Sequence, residues 1–462
     1  MESGSQYAKF RSIKSNAILF LVCLLGIFVI LFATNLDIFC LPTFNRIVAI
    51  SNEELFLIYT VIFTIINILL LNFCRNLELS KSRSKLRRIL FAVALINQLM
   101  ITSILFIIYG EIKLASQYYN ILFYIIIYSS LISSSFFLGV AGIQFLRWFA
   151  YGKNYLVVTY GAMMLVFCVS SIIGIVYLSE VSQSHPATIR QASCSAMFGS
   201  LHNINPQIVT LLTNVYDIAS FFSFVLAWIA TAFMLKEYSK GKSKIAYWFV
   251  IILPLIFFLS RYELALYYFF SNQAENILAA INVSPEIYGY DTLEAIINSN
   301  LQIGGAFFGI AFLAIAIKLK GRPELRNALI LTGIGMMFLF ASKDISTLII
   351  SSYPPLGAVS IAFVGFASYL IYLGISITAT LTARDKRIRN VLKGKVEKNM
   401  MLLKSIASSQ DKIEIEKNVK QLLNLTSEIQ ETNQQQNMTQ EEMRELVKDV
   451  ISEIKTTKKD LQ

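Results

Sequence analysis

The feature that most constrains this chain is the recurrence of apolar runs long enough to cross a bilayer, separated by short polar connections. A helix needs about 20 apolar residues to traverse the hydrocarbon core. Runs of that length occur near 16–35, 55–74, 88–109, 118–147, 155–178, 207–235, 245–269, 301–318, 327–352 and 356–382. Composition agrees: 55% of the 462 residues are hydrophobic, 15% are charged, and the mean hydropathy is +0.60. Soluble domains carry about 25% charged residues. The expected fold is therefore an all-α polytopic bundle of about ten spans (16–383), preceded by a short arm (1–15) and followed by a helical tail (384–462).

Positive charge alternates between the connections. Arg75, Lys81, Arg83, Lys85, Arg87 and Arg88 follow the second run, and Arg147 and Lys153 join the fourth to the fifth. Lys236, Lys240, Lys242 and Lys244 follow the sixth, Lys318, Lys320, Arg322 and Arg326 the eighth, and the last run leads into a basic tail. The other connections hold a single Arg46, Lys113 or Arg190, or, at 270–300, no positive charge at all. Lys and Arg are retained on the cytoplasmic side, so the pattern predicts a plasma-membrane protein with both termini inside. It also explains the net charge of +11 without nucleic acid as a partner. The first run, behind Lys9, Arg11 and Lys14, has no small-residue cleavage site and reads as a retained helix.

The fourth run carries Ser129, Ser130, Ser133, Ser134 and Ser135, then Gly139 and Gly142, small residues that permit close helix packing. Asn97 and Gln98 in the third run fit hydrogen bonding between helices. Ionisable residues inside spans are costly and mark functional or structural sites. Five occur: Asp217, Arg261, Glu263, Lys343 and Asp344, all in the external half. Neighbours one or two apart do not face each other on a helix, so pairing runs between helices, as in Arg261 with Asp344 or Lys343 with Glu263. The cluster reads either as a polar site open to the outside or as ion pairs joining spans six, seven and nine.

Cysteine usage gives no CxxC pair. Cys23, Cys74 and Cys168 fall within spans, while Cys40 and Cys194 share the external side, where a disulfide between them is allowed. The two histidines, His185 and His202, sit in one external connection. That excludes bis-histidine haem ligation in the bundle, and their spacing matches no standard metal site. GxxxxGK[ST], GxSxG and HExxH motifs are absent from the sequence. No catalytic residue, metal or cofactor is expected, and the chain is not expected to be an enzyme.

The tail begins with Arg384, Lys386, Arg387, Arg389, Lys393 and Lys395, a basic segment suited to anionic headgroups. Two apolar series at helical spacing follow, through Leu403 and through Ile429; a Gln/Asn-rich linker (431–438) precedes a third, opened by a Thr439–Glu442 capping box. The stretch Ser376 to Ile406 resembles the tails of uncharacterised multi-span membrane proteins of ammonia-oxidising archaea. That resemblance implies an archaeal cell membrane and no particular chemistry.

Three functions fit these features. The first is a sensor or scaffold whose tail recruits a cytoplasmic protein. The second is a secondary transporter using the intramembrane charges, since two sets of five spans would have opposite orientation. The third is a structural subunit of a membrane complex.

Overall fold

The computed structural model describes residues 52–81, 85–184, 189–191, 206–238, 251–256, 307–316, 319, 323–342 and 354–384. It also describes Gly26, Trp248 and, in the tail, 406, 408–410, 412–413 and 419. These residues are almost wholly helical. The long helices are α1 (Asn52–Lys81), α2 (Lys85–Ala115), α3 (Asn120–Gly152), α4 (Tyr155–Ser184), α5 (Pro206–Tyr238), α6 (Pro323–Ser342) and α7 (Pro354–Arg384). All seven are long and apolar enough to span a membrane. They correspond to the second to sixth, ninth and tenth runs of the sequence. The first, seventh and eighth lie mostly outside the described residues, although 251–256 and Phe307–Ala316 are helical.

Local chemistry sets the ends of these helices. α5, α6 and α7 each open on proline, whose fixed φ and missing N–H suit the first turn. α3 stops where Lys153 turns left-handed (φ 47°) and donates its N–H to the Phe149 carbonyl at 2.8 Å. One residue later the Asn154 Oδ1 accepts the Leu156 N–H at 2.9 Å, capping α4. Tyr118 and Tyr119, expected at the start of the fourth span, belong instead to a short strand β1 (Gln117–Tyr119). It pairs antiparallel with β2 (Ile189–Gln191), Tyr118 opposite Arg190. Two connections assigned to the same side by their low positive charge thus meet at one end of the bundle.

Burial is inverted relative to a soluble protein. Large apolar side chains cover the outside: Ile58, Ile65 and Ile68 on α1, Ile89, Ile96 and Leu99 on α2, Ile132 and Phe136 on α3, Ile172 on α4, and Ile218 and Phe222 on α5. Contiguous apolar surface on this scale requires a non-aqueous surround. α6 and α7 contribute nothing to it: every residue from Leu331 to Ser342 and from Pro355 to Ala379 is buried. The chain is thus an integral membrane protein in which five helices, with further segments, enclose a central α6–α7 pair.

Lipid tails are as apolar as leucine, so close approach and hydrogen bonding must hold such helices together. Glycine supplies the approach. A Cβ on Gly335 would lie 2.8 Å from the Ala367 carbonyl, and one on Gly374 2.6 Å from that of Ala328, so α6 and α7 pack backbone to backbone. Gly142 and Gly161 do the same for α3 and α4. At residue 26 a Cβ would strike the Phe338 ring, which brings the first apolar run beside α1 and α6 at that point.

Candidate functional site

The polar residues that the spans carry converge on α7. On α3, the Ser130 Oγ donates to the Ile361 carbonyl at 2.5 Å and accepts the Gly365 N–H at 3.0 Å. Ser130 thus bridges a carbonyl and an N–H four residues apart on α7, strapping the two helices where Gly365 leaves room. One turn along, the Ser134 hydroxyl lies 2.8 Å from that of Ser368 on α7 and 3.3 Å from that of Ser171 on α4. Ser134 and Ser171 are fully or almost fully buried. The Cys168 thiol on α4 donates to the Ser135 carbonyl at 3.2 Å.

On the opposite flank of α3, the Asn97 amide of α2 bridges two serines. Its Nδ2 donates to Ser133 Oγ at 2.9 Å, and its Oδ1 accepts from Ser129 Oγ. The expected helix–helix hydrogen bonding of Asn97 and close packing of the serine cluster are both present. The adjoining Gln98 is buried, and its Oε1 meets no partner. On α1 the buried Asn67 has neither amide atom paired, and the hydroxyls of Thr60 on α1 and Ser360 on α7 are alone too. The result is a layer of neutral hydroxyls and amides around the middle of α7, in which the Asn97 amide is paired with α3 while the amides of Asn67 on α1 and Gln98 on α2 hold unpaired atoms, as does the buried Ser170 hydroxyl on α4. No group of three or more His, Cys, Asp or Glu exists among the described residues to hold a metal.

A second feature joins the tail to the bundle. Trp148, buried at the end of α3 and edge-on to Phe145, donates its Nε1–H to Gln410 Oε1 at 2.9 Å. Lys412 Nζ donates to the Tyr151 carbonyl at 2.9 Å. Tyr151 lies in the last turn of α3, where carbonyls lack helical partners and a cation is favoured by the helix dipole. Ile406 and Ser409 are buried, and Ile413 packs against the bundle core. The same end carries Phe145 stacked on Tyr160 of α4, Tyr160 against Phe312, and the Tyr160 hydroxyl 3.8 Å from Met234 Sδ of α5. Trp148 therefore connects the tail to a cluster that reaches α3, α4, α5 and the short Phe307–Ala316 helix.

Of the five intramembrane charges, only the backbone of Asp217 falls within the described residues. Asp217 occupies α5 one residue after the buried Tyr216, and its side chain lies outside the described set. Arg261, Glu263, Lys343 and Asp344 fall outside the described residues, as do Cys40 and Cys194. Arg384 ends α7, and Lys386, Arg387, Arg389, Lys393 and Lys395 lie beyond it, again outside the described residues. No protein family, curated protein or solved structure matches the chain.

Proposed function

We propose that the protein is a membrane-embedded sensor or scaffold whose tail reports the packing state of the bundle to a cytoplasmic partner. The supporting observation is the seat of the tail on α3 through Trp148–Gln410 and Lys412–Tyr151. Both contacts are single hydrogen bonds at the end of a helix. Such contacts are worth little each and are made or lost by small helix displacements. A shift of α3 against α4 or α7 would therefore change the tail's docking without unfolding the bundle. In this reading the chain has ten spans, both termini inside, and the basic segment from Arg384 on anionic headgroups. An archaeal cell membrane agrees with the resemblance of the tail.

The test is limited trypsin digestion of the full chain in liposomes of graded acyl-chain length, following cleavage between residues 384 and 420. A sensor shows tail protection that changes with bilayer thickness, and replacing Gln410 with Leu and Lys412 with Met removes that dependence. Cleavage at one rate in every bilayer defeats the sensor reading.

A further inference from the structure

The contrast within the polar layer carries an inference independent of the sensor reading. Against α3 every described amide atom of Asn97 is paired. Against α1 and α2, Asn67 and Gln98, each 3% exposed, leave one donor and two acceptors unpaired. In hydrocarbon an unpaired amide loses its water without compensation, which is why spans satisfy their polar groups internally. Two adjacent helices leaving amides open at one level is a feature to be explained.

Their register places them at the same depth. Glu53 Oε2 and Lys113 Nζ lie 3.8 Å apart, so those residues are level in the α1–α2 hairpin. Counting fourteen residues inward along each helix reaches Asn67 on α1 and Leu99, beside Gln98, on α2. Asn67 is one turn on from Phe63, whose ring meets Phe363 of α7 edge-on at 4.7 Å, so it shares the face turned to α7. Charge is lacking at this depth: α1 holds none between Glu54 and Arg75, α2 none between Arg88 and Glu111, and α7 none before Arg384. A bare ion would find neither countercharge nor a full oxygen shell here.

We infer that α1, α2 and α7 form a mid-membrane site for a small uncharged molecule that both donates and accepts hydrogen bonds, held by the amides of Asn67 and Gln98. The Asn67 Nδ2 needs an acceptor, while Asn67 Oδ1 and Gln98 Oε1 need donors. Water meets that requirement, and so does an amide-sized solute.

X-ray radiolytic footprinting of the full chain in lipid nanodiscs tests the site, because radicals formed from bound water oxidise adjacent side chains. Phe63 and Phe145 are both buried, at 0% and 1% exposure, and Phe145 lies in the aromatic cluster at the far end of α3. The site predicts severalfold faster oxidation of Phe63 than of Phe145, falling to the Phe145 rate in Asn67→Leu. Acetamide serves as the solute probe. Fast Phe63 oxidation with a Tm indifferent to acetamide identifies water. A Tm raised by acetamide in wild type but not in Gln98→Leu identifies an amide-class solute, with or without Phe63 oxidation. Slow Phe63 oxidation together with an unchanged Tm overturns the inference, and that outcome is read on wild-type protein whatever the variants do.

Discussion

Gly365 and Gly110 form a matched pair in which the same substitution should have opposite signs. An alanine Cβ at Gly365 would lie 2.8 Å from the Ser130 carbonyl oxygen, 3.1 Å from Ser133 Cβ and 3.2 Å from Ser130 Cα. Two of the three obstacles are backbone, so no rotamer change relieves them, and α3 and α7 must part by about half an ångström. Overpacking of this kind costs ~1–3 kcal/mol. Separation also weakens the Ser130–Ile361, Gly365–Ser130 and Ser134–Ser368 bonds, each worth ~0.6 kcal/mol between membrane helices. The better helix propensity of alanine returns up to ~1 kcal/mol. Gly365→Ala is therefore destabilising by ~1–3 kcal/mol. At Gly110 in α2 the added methyl meets nothing within 4 Å, and Gly110→Ala should be neutral or stabilising by ~0.5–1 kcal/mol. Steric-trapping measurements of unfolding in bicelles give both values on one scale. A Gly365→Ala protein as stable as Gly110→Ala would refute backbone-level packing of α3 on α7.

Other perturbations follow from the same contacts. Ser134→Ala removes the hydroxyl shared by Ser171 and Ser368 and should cost ~0.6–1.7 kcal/mol in the same assay; a gain in stability would mean the contacts are incidental. Glu53→Gln breaks an ion pair whose side chains are 34% and 59% exposed, so unfolding and salt dependence should hardly change; a large loss would make that pair a structural clamp. Gln410→Leu frees the Trp148 indole N–H and should speed tryptic cleavage of the tail while leaving bundle unfolding unchanged. Equal loss of bundle stability would instead make the tail part of the membrane core.

Much of the architecture was legible because a bilayer imposes it. Span length and hydropathy locate α1 to α7, although the ninth run extends to 352 whereas α6 is described only as far as Ser342, and the alternation of Lys and Arg agrees with which helix ends lie together: Arg87 Nη2, at the start of α2, donates at 2.6 Å to Thr380 near the end of α7. The serine cluster of the fourth run was also readable as a packing surface. Its partner on α7 was not: Ser368 meets Ser134 while the Ser360 hydroxyl stays unpaired, and nothing in the sequence distinguishes the two. Apolar residues fill both faces of α7, so nothing in its pattern separates a central helix from a peripheral one. Asn67 carried no signal beyond being one of two amides, with Asn72, in its run. The tail contact was hidden for a different reason: Trp148 and Gln410 are 262 positions apart, and periodicity describes faces without naming what covers them. β1 and β2, three residues each, are shorter than any alternation that would reveal a strand.

The proposed orientation sets the Ser116 end of α2 outside the membrane and the Lys153 end of α3 inside. Leu114 is 91% exposed near the first and Tyr155 81% exposed near the second, so single cysteines at these positions test it in a background where Cys40 and Cys194 are serine. In intact cells a membrane-impermeant maleimide should label Leu114→Cys at once and Tyr155→Cys only after permeabilisation. Labelling of both from outside, or of Tyr155→Cys alone, would contradict it.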